Sequence, residues 1–223
     1  MSPWVRGSLV ALGRQDEGSH RLEMITAELR QAVFLDLNGT LVLPLKAERP
    51  HDHRPITGVA EGVALLCDAG FICPVVTVQS RIEKRLFSEV EFLDWFQLFR
   101  ADLAEKRAFI EGPYICPHRY ATPCYCKKAT GYLYRYAGAE LNIDCASSFV
   151  IGDTGDDLEA ARILGCQGVL VRTGWPISRQ LEQLADYIAD DFLAASHWIV
   201  KTRDMRPNKR LYSSALQDTS GRG

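Results

Sequence analysis

A chain of 223 residues, 47% of them apolar and with a formal charge of −2, can build one sizeable core and carries no excess of either sign. That balance excludes a polyanion-binding protein held by bulk charge, and no stretch approaches the roughly eighteen uninterrupted apolar residues of a membrane span. Seven cysteines, an odd number with no secretory segment ahead of them, argue against a disulfide framework, so the chain is expected in the cytoplasm with neither nucleic acid nor membrane as partner.

In chain order, residues 1–27 read as an N-terminal extension, 28–202 as one folded domain and 203–223 as a polar tail expected to be poorly ordered. The run Ala32 to Val42, AVFLDLNGTLV, is a buried strand that ends in Asp36 and is followed by a Gly-Thr turn. Val59, Val63 and Leu66 recur at helical spacing before Gly70, and FICPVVTV after it is a second strand carrying Thr77. FSEVEFLDWFQLF has the spacing of an amphipathic helix, a cysteine-rich loop interrupts, and GYLYRYAGAEL resumes helix. SSFVIGD is a strand, DDLEAARIL a helix closed by Gly165, and GVLVRTG a further strand. Strands separated by helices predict an α/β fold: a Rossmann-like parallel sheet with helices on both faces, and ligands at the carboxyl ends of its strands.

Those strand ends and connections carry the chemistry. Asp36 ends one strand, Thr77 lies near the end of another, Lys128 precedes a helix, and GDTGDD places Asp153 and Asp157 after a third strand. Two carboxylates with a hydroxyl and a lysine nearby suit a hard divalent cation and a phosphoryl group. Cys116, His118, Cys124 and Cys126 offer three thiolates and an imidazole in a short proline-bearing loop, the ligand set of a closed structural zinc site. Cys67, Cys73, Cys145 and Cys166 fall in apolar patterns and are expected to pack as small hydrophobes. A zinc-ribbon nucleic-acid module is the other use of such a loop, and it fails for want of basic and aromatic clustering.

Asp36-Leu37-Asn38-Gly39-Thr40, Thr77, Lys128 and Gly152-Asp153 with Asp157, in that order, resemble the haloacid dehalogenase superfamily of phosphatases over about residues 32–191. VVTVQS, CPHRYATPCYCKKATG and VLVRTGWPI are similar to the heptose-bisphosphate phosphatase family within it and, more distantly, to histidinol-phosphatases. The resemblance implies a zinc loop in place of a large cap domain, an aspartyl-phosphate intermediate on Asp36, and Mg²⁺ held by Asp36, the Asn38 backbone carbonyl and Asp153. It also implies phosphoryl contacts from Thr77 and Lys128 and substrate contacts from Gln79, Ser80, Lys127 and Thr154. The implied partner is a small phosphorylated metabolite such as a sugar phosphate, and the chain is expected to be a monomer.

Position 38 departs from the pattern. The superfamily carries there the aspartate that protonates the leaving oxygen and then activates water, and the amide of Asn38 can do neither. Lys127 stands where a recognition arginine is usual, Thr154 where a lysine is, Val78 where an asparagine is, and Pro44-Leu45-Lys46-Ala47 replaces the substrate loop. Two readings follow: a Mg²⁺-dependent phosphatase of small esters, or an impaired homologue that binds a phosphorylated ligand. His51 and His53, the first alternatives for a missing acid, read as solvated loop histidines.

Overall fold

The structure, a computed structural model, describes residues 29–205. The expected N-terminal extension and the tail beyond Met205 lie outside the described residues. The elements run β1 (Val33–Leu35), β2 (Val42–Leu43), β3 (Arg54–Pro55), α1 (Val59–Asp68), β4 (Pro74–Val78), α2 (Ser80–Glu83), α3 (Glu89–Ala104), β5 (Glu111–Cys116) and α4 (Tyr132–Glu140). They continue with β6 (Phe149–Gly152), α5 (Gly155–Leu164), β7 (Gln167–Val171), α6 (Arg179–Leu184), β8 (Tyr187–Ala189) and α7 (Phe192–Met205).

The main sheet is six-stranded, in the order β5-β4-β1-β6-β7-β8, with every pair parallel. The strand period of two distributes β1 over both layers: Val33 and Leu35 join the core built with α1, α3 and α7, while Phe34 joins the one built with α4 and α5. Helices therefore cover both faces, which is why β1, β6 and β7 are apolar on either side. β1 is central, and the chain leaves it toward β4 on one side and reaches β6 on the other, so the strand order reverses beside its C-terminal end. β2 and β3 form a small antiparallel pair over that end.

Local signals set the helix bounds. Ser88 accepts from the Glu91 N–H while Glu91 takes the Ser88 N–H at 2.7 Å, a reciprocal cap that starts α3. Gly165, at φ 72°, ends α5. Two strands of the main sheet escape the sequence pattern. β5 contains Gly112-Pro113 inside what reads as loop, and it is tolerated because β5 is an edge strand. β8 is three residues long and followed by α7, which continues to Met205, past the boundary expected at 202. No helix among the described residues is long and apolar enough to cross a membrane.

Candidate active site

β1 delivers Asp36 to the point where the strand order reverses, and the carboxylate is buried there at 4% exposure. Its Oδ2 accepts from Thr40 Oγ1 at 3.1 Å and its Oδ1 from the Lys128 ammonium. Lys128 comes from the short turn before α4 and donates also to Asp157 Oδ1 at 2.8 Å. Asp157 is fully committed within the protein: Tyr134 donates to Oδ1 at 3.2 Å and Thr154 Oγ1 to Oδ2 at 2.6 Å. It therefore holds Lys128 and the start of α5, whereas Asp36 and Asp153 face the open cavity. Asp153 follows β6 and takes the Trp175 N–H at 3.0 Å. Gly39, at φ 93°, and Gly174 let the chain pass against it, since a Cβ at either position would collide with Oδ2 of Asp153.

The charges do not balance. Three buried carboxylates, Asp36, Asp153 and Asp157, place ligand oxygens within 4.8 Å of one another. Burial raises Asp36 against the pull of Lys128. Asp153 is pushed up to about 8 by burial and by the charges of Asp36 and Asp157. Burial also works against the Lys128 ammonium, but Asp157 and Asp36 outweigh it and keep the group protonated. Oxygen donors with one lysine among them fit a hard divalent cation, which would favour the ionised carboxylates of Asp36 and Asp153.

Asn38 follows two residues later in the same loop and is clamped from both ends. Gln79 Nε2 donates to its Oδ1 at 2.8 Å, and its Nδ2 donates to His53 Nε2 at 2.7 Å. His53 Nδ1 bonds the Pro50 carbonyl at 2.9 Å, so these partners assign a neutral ring with the proton on Nδ1. Burial, with the charge of Arg81 acting in the same sense, holds that imidazole below its usual range. His53 is thus not the solvated histidine that its loop suggests: it is 4% exposed and packed against Trp95 with ring centroids 4.8 Å apart. His51 is exposed, as expected.

The other expected contacts divide. Thr77 is fully buried under the site with its Oγ1 bonded to Gln79 at 2.9 Å, and Gln79, Ser80, Lys128 and Thr154 line a cavity of about 330 Å³. Lys127 does not line it; its ammonium reaches the Tyr120 carbonyl at 2.5 Å and lies over the Tyr120 ring. Lys46, Arg81, Lys84, Tyr120 and Trp175 do line it. No spacing in the sequence signals these five, because they arrive from four separate loops and turns.

A second constellation lies beyond β5. The donor atoms of Cys116, His118, Cys124 and Cys126 all fall within 4.8 Å of one another. Cys116 Sγ is 3.7 Å from Cys124 Sγ and 3.4 Å from Cys126 Sγ, and His118 Nδ1 is 3.2 Å from Cys126 Sγ. A tetrahedron with metal–sulfur bonds of about 2.3 Å has edges of about 3.8 Å between sulfurs and slightly less to nitrogen, so the cage fits a zinc ion. Burial pushes the Cys116 thiol up to about 12, so a thiolate there needs a cation beside it. All seven cysteines are free of disulfides; Cys73 and Cys166 are buried as expected, whereas Cys67 and Cys145 are partly exposed.

Comparison with known proteins agrees with this architecture. The HAD-hydrolase-like family model matches residues 125–195. The D-glycero-β-D-manno-heptose-1,7-bisphosphate 7-phosphatase of Vibrio cholerae serotype O1 is 33% identical over 183 residues, which span 78% of this chain and 98% of the relative. The enzyme of the same name from Escherichia coli K12 is 32% identical over 166 residues, 70% of this chain and 87% of the relative. Among solved structures, the D,D-heptose 1,7-bisphosphate phosphatase of B. bronchiseptica, complexed with magnesium and phosphate, superposes with a TM-score of 0.69 at 22% identity, covering 77% of this chain and 99% of that one. The chain belongs to the haloacid dehalogenase-like phosphoric monoester hydrolases, in the family of the D-glycero-β-D-manno-heptose-1,7-bisphosphate 7-phosphatases.

Proposed function

We propose that this chain transfers the phosphoryl group of a small phosphate ester, a sugar phosphate of the heptose-bisphosphate kind, to Asp36 and then to water. The observation that carries the reading is Asp36 itself, buried at the reversal of strand order with Lys128 on one oxygen and Thr40 on the other. One carboxylate oxygen of Asp36 attacks phosphorus, the bond to the leaving oxygen breaks, and an aspartyl phosphate forms. Lys128 and the Thr77 hydroxyl stabilise charge on the phosphoryl oxygens. Asp36, the Asn38 backbone carbonyl and Asp153 would hold Mg²⁺, which supplies charge neutralisation at phosphorus. Gln79, Ser80 and Thr154 line the route of the leaving group. Cys116, His118, Cys124 and Cys126 would hold zinc with four protein ligands, and the ion would order the loop that carries Tyr120 into the wall of the cavity. The protein works as a cytoplasmic monomer on a soluble phosphorylated metabolite.

A second reading rests on the Asn38 clamp. An amide held by Gln79 and His53 cannot protonate a leaving alkoxide, so the chain could instead retain a phosphorylated ligand without turning it over. Phosphate release from a panel of sugar phosphates and an aryl phosphate, with Mg²⁺ and with chelator, separates the two. Mg²⁺-dependent release supports the phosphatase. Tight binding of sugar phosphates with no release from any ester supports the second reading.

A further inference from the structure

Arg81 is the residue in this cavity whose chemistry is unused. It is the second residue of α2, directly after the Thr77-Gln79-Ser80 segment, and it lines the wall together with Lys84 one turn on. Its Nε is buried and has no hydrogen-bond partner among the described residues. Asn38 and His53 line the same cavity. No hydrogen bond or ion pair engages the Arg81 guanidinium among the described residues, and the two Nη of a guanidinium form a planar fork that matches two oxygens of a phosphate or carboxylate. The carboxylates Asp36, Asp153 and Asp156 belong to the β1 and β6 side of the same cavity, where a cation and the reacting phosphoryl group belong. The wall from α2 carries the opposite sign. Lys127, which stands where a recognition arginine is usual, engages Tyr120 and does not line the cavity.

We propose that Arg81 is the specificity-determining residue of this site, binding a second anionic group carried by the leaving-group half of the ester, a phosphoryl or a carboxylate. The inference rests on the phosphate-ester reading above and deepens it. A phosphoryl group docks against Asp36 and Lys128, and the far end of the molecule places two oxygens on the Arg81 fork, with Lys84 adding charge at the rim. Binding energy is then drawn from a part of the substrate that does not react.

The test uses the full chain with Asp36→Asn, which abolishes turnover, in Mg²⁺, with titration calorimetry of glucose 6-phosphate, glucose 1,6-bisphosphate and 6-phosphogluconate. The doubly anionic esters should bind roughly 10- to 150-fold more tightly than glucose 6-phosphate, the span of one charge-assisted fork. Adding Arg81→Ala should erase that preference, and Arg81→Lys should keep part of it, since charge remains and the fork is lost. Thermal melts of both variants show that they are folded. Preference for the bisphosphate alone assigns a phosphoryl site; preference for both doubly anionic esters assigns a general anion site. Equal affinity for all three esters, or a preference that survives Arg81→Ala, overturns the inference while leaving the phosphate-ester reading standing. Failure of all three to bind overturns that reading and the inference with it.

Discussion

Asn38 is matched to its neighbours as an amide. A neutral imidazole at His53 needs a donor, and the Asn38 Nδ2–H is that donor; the other end of the same amide takes the proton of Gln79. A carboxylate at position 38 would keep the Gln79 bond and oblige His53 to bind a proton. Asn38→Asp should therefore raise the His53 pKa, visible by NMR of the imidazole. With general acid-base chemistry restored, turnover of an alkyl phosphate should rise by roughly 10²–10⁴-fold. In the native chain the depressed His53 pKa has a consequence for stability. The unfolded chain binds the imidazole proton first as pH falls, so the contribution of neutral His53 is full above about pH 6.5 and declines as pH drops through that value toward the lower folded one. Denaturant midpoints at about pH 7.5 and pH 5.5 should separate more for the native protein than for His53→Gln. Lys128 is the other residue on which the site depends. Lys128→Met leaves Asp36 and Asp157 buried without their ion-pair partner and should cost about 3–5 kcal/mol in urea unfolding.

At the scale of elements, the loop of Cys116, His118, Cys124 and Cys126 has little apolar support. Between β5 and α4 the chain exposes Tyr120 and Tyr125, and its buried members are Cys126, Lys128 and Gly131. Metal coordination should thus supply its order: purified protein should carry about one zinc per chain by elemental analysis, and Cys124→Ser should lower both zinc content and melting temperature. The loop was legible in the sequence because its ligands are within eleven positions of each other. The strands β1, β4, β6 and β7 and the helices α1 and α5 were legible too, through buried apolar runs and the stops at Gly70 and Gly165. β5 was not, because Gly112-Pro113 is a turn signal that only an edge position tolerates. His53 was not, because its burial depends on Trp95 of α3, forty-two positions away, and no local pattern encodes that contact.

The molecule as a whole is a parallel sheet whose central strand ends in Asp36, with Lys128, Asp153 and Asp157 brought there from elements up to 121 positions away. The order of the motifs along the chain pointed to Asp36, Lys128, Asp153 and Asp157, which the fold brings together, since each follows or precedes a recognisable element. The cavity wall that contacts the rest of a substrate was hidden, being assembled from residues with no common spacing. In the phosphatase proposed above, Asp36 is phosphorylated while Asn38 leaves the second step without a base. An aryl phosphate needs little protonation to leave, whereas hydrolysis of the aspartyl phosphate needs an activated water, so the two steps should separate in time. The most direct measurement is rapid-quench release of nitrophenolate from p-nitrophenyl phosphate in Mg²⁺, with mass spectrometry of the quenched protein. The expected result is a burst approaching one nitrophenolate per chain and a phosphoryl group on the Asp36 peptide, both absent in Asp36→Asn. Release that is linear from the first turnover, or a burst that persists in Asp36→Asn, would contradict it.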